Sequence, residues 1–311
     1  MKCVETAGQD ELARVFVLQL RQEPRSRVEC VGAIDPAVPR DDKIVLVVSS
    51  QFGCPVGCAM CDAGSWYAGN LSADELLTQV RFLIGAWAGE HAARTCPKCK
   101  VQFARMGEPS LNPAVLEALE RLPQVVSSPG LIACLATTAP SAASGWFERL
   151  LEVRDRSYAP GQLQLQFSAQ STDEQVRDRL IPVAKWTLRQ VGQYACRFVR
   201  DGDRKVVLNF ALAHGIPITG AALAEAVSPA HCMVKLTPLN ETRQSREHGL
   251  TTAFVSAHEA WVQDRVRELE SYGFQCVVSV GDPRESALGT SCGQLARLGR
   301  GDALRLGASL S

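Results

Sequence analysis

The stretch "SSQFGCPVGCAMCDAG", residues 49–64, sets Cys54, Cys58 and Cys61 within eight residues, just after the apolar run "KIVLVV". The spacing Cys-x3-Cys-x2-Cys suits iron–sulfur ligation, three quarters of a zinc site, or coincidence. Structural zinc takes four ligands, commonly as two short pairs, and no fourth Cys or His lies nearby in sequence. Three thiolates on a [4Fe-4S] cluster fit better, because they leave one iron with an open position. Gly53, Gly57 and Gly64 would let the backbone wrap such a cluster closely.

The surroundings must position these thiols. The chain has 311 residues, of which 46% are hydrophobic and 21% charged, enough for one large core or a core with a small appendage. The opening "MKCVETAGQDELARVF" holds no apolar stretch long enough for a signal peptide. No run approaches the ~20 apolar residues that span a bilayer, so a cytoplasmic, membrane-free protein is expected. In a reducing compartment the twelve cysteines imply no disulfide framework, and clustered thiols point to metal or catalysis. The 33 Lys and Arg balance 33 Asp and Glu, so the molecule as a whole offers no basic field for nucleic acid.

Apolar runs at 43–49, 100–106, 130–137, 162–168, 204–212, 232–238 and 275–280 read as strands, alternating with helical patterns. The clearest helix begins at "LSADELLTQVRFLIGAW", where Ser72 and Glu75 have capping-box spacing and Leu76, Leu77, Val80, Leu83 and Ile84 form an apolar stripe. Another, "TTAFVSAHEAWVQDRVRELESYG", ends at Gly273. The alternation predicts an α/β fold, a partial TIM-type (β/α)6 barrel with chemistry at the C-terminal strand ends. A core over 43–285 would carry a short N-terminal extension, 1–42, and a C-terminal segment, 286–311, with a flexible tail. Within 1–42 one short helix and an extended "RVECVGAID" are expected.

The cysteine motif resembles that of the radical S-adenosylmethionine (SAM) superfamily, although the position before the last cysteine, often aromatic there, is Met60. "SSQFGCPVGCAMC", "MGEPSLN" (106–112), "RDRLIPV" (177–183), "LTPLN" (236–240) and "SCGQL" (291–295) follow the order found in the RlmN/Cfr methyltransferases, which modify adenine C2 or C8 in 23S ribosomal RNA. The resemblance spans about residues 44–297. It implies a [4Fe-4S] cluster on Cys54, Cys58 and Cys61 and SAM as second cofactor. Its open iron chelates SAM's amino and carboxylate groups and delivers one electron, releasing a 5'-deoxyadenosyl radical. Glu108 would accept a hydrogen bond from the SAM amino group, and Ser168 and Asn240 fall where the family holds SAM's polar groups. A strand-end Ser or Asn also commonly satisfies local backbone. Cys292 matches the cysteine that is first methylated by one SAM. A radical from a second SAM then removes a hydrogen from that methyl, and the methylene radical adds to an sp2 adenine carbon, which is not nucleophilic. Arg284 also matches, whereas the acidic positions that usually follow it are Ser286 and Ala287. An electron donor such as flavodoxin or ferredoxin is implied.

Two departures bear on substrate. The family's second cysteine, seven residues before the first cluster ligand, helps break the covalent protein–substrate adduct; here that position is Val47. Cys30, Cys96 and Cys99 are candidate substitutes, against the simpler reading of Cys30, Cys134, Cys196, Cys232 and Cys276 as small buried hydrophobes. The segment before the cluster motif is also much shorter than the RNA-binding domain of the ribosomal enzymes, and residues 1–42 hold six basic against eight acidic side chains. A small heteroaromatic substrate would need only a pocket at the barrel mouth, where Trp66 and Tyr67 of "SWYAG" stack or pack. The alternatives to methyl transfer are Cys292 as a hydrogen-atom donor to a small molecule or peptide, or a non-catalytic Fe–S binding protein.

Overall fold

The computed structural model describes residues 1–280, apart from 10, 11, 24, 36, 37 and 40, and residues 294–297. Cys292, Arg284, Ser286, Ala287 and most of the C-terminal segment lie outside the described residues. Strands β1 (Lys2–Gln9), β2 (Ala13–Gln19) and β3 (Arg27–Ala33) precede β4 (Ile44–Val48). A two-stranded ribbon, β5 (Gln51–Gly53) with β6 (Tyr67–Asn70), brackets the cysteine loop. There follow β7 (Cys99–Phe103), β8 (Leu131–Thr137), β9 (Leu163–Ser168), β10 (Val206–Leu212), β11 (Cys232–Pro238) and β12 (Cys276–Val278).

Ten of these strands form one open sheet in the order β1-β2-β3-β4-β7-β8-β9-β10-β11-β12. Pairing is antiparallel from β1 to β4 and parallel from β4 to β12. The connections between parallel strands carry α1 (Ala73–Leu83) and α2 (Glu90–Thr95), then α3 (Ala114–Val126), then α4 (Ser144–Ser157). Later come α5 (Glu174–Leu180), α6 (Leu188–Phe198), α7 (Gly220–Ala226), α8 (Arg243–Glu247) and α9 (Ala260–Ser271). The sheet does not close among the described residues, so the architecture is the partial barrel that the alternation predicts. No described helix is long and apolar enough to cross a membrane.

Alternation along the parallel strands explains both faces. Ile44, Leu46 and Val48, Cys99, Val101 and Phe103, and Val206, Leu208 and Phe210 are buried in one core with Leu76, Leu77 and Val80 of α1 and Leu119 of α3. The intervening residues, among them Val45, Val47, Lys100, Gln102, Gln164, Gln166, Ser168 and Asn209, are only partly covered and turn away from the helices. That second face carries polar side chains along β7–β10, while beside β3 the short helix α10 (Gln294–Arg297) packs on its apolar part through Leu295 and Ala296.

All seven predicted core strands form. In α1 the capping box is complete: Ser72 Oγ accepts from Glu75 N–H and the Glu75 carboxylate accepts from Ser72 N–H. The N-terminal segment differs from expectation. No helix forms in its described residues; "ARVFVLQ" is strand β2, buried along Val15–Leu18 between β1 and β3. A run of Val, Phe and Leu with a neighbouring strand on each side gains more from sheet burial than from helix formation.

Candidate active site

The loops at the C-terminal ends of the strands enclose a cavity of about 160 Å³. Cys54, Cys58, Cys61, Glu108 and Ser168 all line it, together with Arg105, Thr137, Thr138 and Gln170. Asn240, beyond the end of β11, is exposed and is not among its lining residues.

The cysteine loop is held from several sides. Gly64 packs so closely on Gly57 that a Cβ at Gly64 would lie 2.7 Å from the Gly57 Cα, and Gly57 itself has φ of +69°. Val56 and Ala59 pack against Val176, Leu180 and Ile181, and the Ala59 N–H donates to the Leu180 carbonyl at 2.9 Å. "RDRLIPV" is therefore the support beneath the loop. Its fully buried Arg177 donates to the Ala169 and Trp186 carbonyls, both at 3.1 Å, and pairs with Glu174. On the other side the buried Asp62 carboxylate accepts from Arg243 N–H at 3.2 Å and Gln244 N–H at 2.9 Å, and Thr242 Oγ1 donates to the Met60 carbonyl. The loop thus joins α5 to α8 across the mouth.

"MGEPSLN" and "SSQ" are fastened together. Gly107 has φ of +98°, and a Cβ there would meet Ser50 Oγ at 2.6 Å, so only glycine fits. The Glu108 N–H donates to Gln51 Oε1 at 2.8 Å, and Asn112 donates to the carbonyls of Ser50 and Leu71. Glu108 is 3% exposed. Its Oε1 accepts from Ser110 N–H, Ser110 Oγ and Thr137 Oγ1; its Oε2 accepts from Thr138 N–H at 2.8 Å and Thr138 Oγ1 at 2.9 Å.

Burial pushes the Cys54 thiol up to about 12, and Cys61 and Glu108 nearby add to the rise; Cys58 is driven up strongly for the same first reason. Buried, mutually repelling thiols stay protonated unless a cation compensates them, and iron ligation supplies that compensation. Among the described residues no three His, Cys, Asp or Glu side chains are grouped so as to hold a metal ion. Three cysteines alone fall short of the four ligands of a structural zinc site and match an iron–sulfur cluster with one open iron.

The proposed substitutes for the missing resolving thiol are not at the site. Val47 packs with a small apolar group that includes Val31, Met106, Leu295 and Ala296. Cys30 is buried in the helix-side core, Cys96 is buried just before β7, and Cys99 opens β7 at the opposite end of the sheet. Beside Cys30, on the opposite strand face, stands Glu29, which sequence reading passed over. Its side chain is fully buried; Oε2 pairs with Arg105 at 2.7 Å, and Oε1 accepts from the N–H groups of Leu295 and Ala296 at 2.8 and 2.9 Å. A carboxylate inside the apolar run of "RVECVGA" is the signal that marks it. Thr137 and Thr138 carried no comparable signal, since threonines after a strand are common. Trp66 packs between two apolar groups, and Tyr67 is exposed with its hydroxyl on Asn70.

No protein-family model matches the chain. It is 31% identical over 308 residues, 91% of this chain and 66% of the relative, to a probable dual-specificity RNA methyltransferase RlmN of Acidothermus cellulolyticus. It is 29% identical over 271 residues to the protein of the same description from Thermobifida fusca, covering 83% of this chain and 69% of that one. It thus spans about two thirds of the length of these relatives. A crystal structure of a radical SAM methyltransferase from Sphaerobacter thermophilus shares the fold, with a TM-score of 0.71, 22% identity and coverage of 94% of this chain and 80% of that one.

Proposed function

The chain belongs to the RlmN-like radical SAM methyltransferases, and we propose that it moves a SAM-derived methyl group, by way of Cys292, to an unactivated sp2 carbon. The observation that carries this reading is the one cavity shared by Cys54, Cys58, Cys61, Glu108 and Ser168. When bound, a [4Fe-4S] cluster supplies the single electron that cleaves the SAM sulfonium. Cys54, Cys58 and Cys61 would hold three of its irons. Glu108 would take the SAM amino group, with the Thr138 hydroxyl rotating aside to free a lone pair, and Ser168 would add a polar contact from the cavity wall; Asn240, which lies outside that lining, keeps its place in the proposal on the motif resemblance alone. Cys292 attacks the SAM methyl as a thiolate; a new carbon–sulfur bond forms, and the broken sulfonium bond leaves its electron pair on the departing sulfur. Leu295 and Ala296, three and four residues beyond Cys292, are held beside the cavity by Glu29, which supports that role.

An adenine in RNA is the first substrate reading, following the description of the relatives. The apolar Val47 and the six basic against eight acidic side chains of residues 1–42 favour a second, a small heteroaromatic molecule. The proposed electron donor is a flavodoxin or ferredoxin. The proposed location is the cytoplasm, a reducing compartment in which clustered cysteines serve as metal ligands. The test is anaerobic reconstitution with iron, sulfide, reductant and SAM, offering RNA and heteroaromatic substrates in parallel. Formation of 5'-deoxyadenosine with a one-methyl mass gain on the Cys292 peptide is expected, and C292A should lose that mass gain. The nucleoside without the gain would instead indicate a hydrogen-atom donor, and neither product would leave only a binding protein.

A further inference from the structure

At the end of the sheet opposite the cysteines, the segments leading into β7, β8, β9 and β10 surround a second cavity of about 410 Å³, within the range of small-ligand sites. Lys98 and Arg204 line it. Behind them, on the same sheet face as Gln164 and Asn209, Lys43, Lys100 and Lys235 are each only partly covered. This is a concentration of cations with few counter-charges. Lys43 pairs with Asp35, but among the described residues Lys98, Lys100, Arg204 and Lys235 have no carboxylate partner. Lys100 donates only to the neutral Gln164 Oε1, at 3.1 Å, and Arg204 only to the Gly161 carbonyl. The nearest acids do not relieve them: Asp203 is engaged by Arg200 and the Gly161 N–H, and Asp201 is exposed in the adjoining turn.

Half-buried ammonium groups without anions are costly. Desolvation foremost, then repulsion among Lys43, Lys98, Lys100 and Arg204, holds the Lys100 ammonium below its ordinary value; Lys235 is lowered by burial and then by Lys100. The buried Cys134 thiol lies among them and is held above the usual range by its burial, so it contributes no anion at neutral pH. A core strand needs no lysine at these positions, since Met233, beside Lys235 on the same face, shows that an apolar side chain fits there. The missing element is negative charge supplied from outside.

We propose that this N-terminal mouth of the sheet binds a small phosphate-bearing anion, with Lys98 and Arg204 at its rim and Lys100 and Lys235 behind. The site is separate from the cysteine end and does not depend on the methyl-transfer chemistry. Phosphate suits it because its several oxygens accept from several cations at once, each charge-assisted. The anion is either a free inorganic phosphate or the phosphate chain of a nucleotide.

The test uses the full chain with its cluster reconstituted, titrated with phosphate, pyrophosphate or ADP against potassium chloride of equal ionic strength. Thermal melting and calorimetry read the binding. Saturable stabilisation by pyrophosphate beyond the chloride control is expected, with ADP equalling or exceeding it if a nucleotide is the occupant. The double variant K98Q/R204Q, which removes both cations that line the cavity, should lose about tenfold or more in pyrophosphate affinity, the scale of a charge-assisted contact. Without anion it should melt no lower than the parent, because removing unpaired cations relieves repulsion. The rim variant R204Q, on an exposed side chain, should weaken binding while leaving the anion-free melt unchanged. Stabilisation no greater than with chloride, or equal in parent and variants, would overturn the proposal.

Discussion

Five hydrogen bonds converge on Glu108, three at Oε1 and two at Oε2, and each oxygen faces a hydroxyl as well as a backbone donor. The backbone donors of Ser110 and Thr138 are fixed, whereas hydroxyls rotate, so Thr137 and Thr138 hold the carboxylate in place yet yield to an incoming ammonium. E108Q keeps the shape and loses the charge that draws a cationic amine. It should weaken SAM binding by about tenfold, in line with one charge-assisted hydrogen bond, and leave cluster content unchanged. Equilibrium dialysis with SAM, alongside iron and sulfide counts, checks both; unchanged SAM affinity would remove Glu108 from the binding role. Legibility at this scale depended on the kind of signal. Cysteine spacing exposed Cys54, Cys58 and Cys61 because ligation imposes a local rhythm on the chain. Glu29 acts across 266 residues of sequence on Leu295, and nothing in local spacing reports such a contact. Cys30 drew the eye as a thiol, but strand alternation sends it into the core and its neighbour Glu29 to the site face.

The elements show why some of the fold was readable and some was not. The parallel strands carry buried β-branched and aromatic runs, and α1 carries its own start signal, so each is specified locally. Strand β2 is specified by partners: "ARVFVLQ" has no capping signal of its own, and its pairing with both β1 and β3 decides its state. The same distinction applies to the cysteine loop, whose closure rests on α5 and α8, more than a hundred residues later. Asp62 caps α8 through Arg243 and Gln244, tying loop to helix with one side chain. D62A should remove about 1 kcal/mol of capping energy and free one edge of the loop. Folding stability should fall by that modest amount, while loss of cluster absorbance under a chelator should accelerate several-fold. Equal rates of loss in parent and variant would show that α5 alone secures the loop.

The whole molecule combines a formal net charge of zero with a large set of buried thiols, and this pairing sets how it answers alkali. With charges balanced near neutrality, pH acts mainly through groups whose burial forbids ionisation. Cys99 and Cys232 lie in the helix-side core; burial first, then the neighbouring Cys96 and Cys196 respectively, pushes each thiol up to about 12 from the ordinary 9.0. The sign follows from which state releases the proton. Above pH 9 the unfolded chain ionises these thiols while the folded chain keeps them protonated, so each stabilises the fold fully below 9 and loses that contribution as pH climbs towards 12. The loss amounts to about 1.4 kcal/mol per pH unit and thiol while only the unfolded state titrates. Both side chains are fully buried and small, so C99V/C232V replaces them with an apolar group of similar volume that cannot ionise. Urea unfolding of parent and variant at stepped pH should give similar stabilities at neutrality. Towards pH 11 the two curves should separate, the parent falling more steeply. Parallel curves would place the alkaline weakness elsewhere, in the cationic sheet face around Lys100 and Lys235, whose lysines lose charge over the same range.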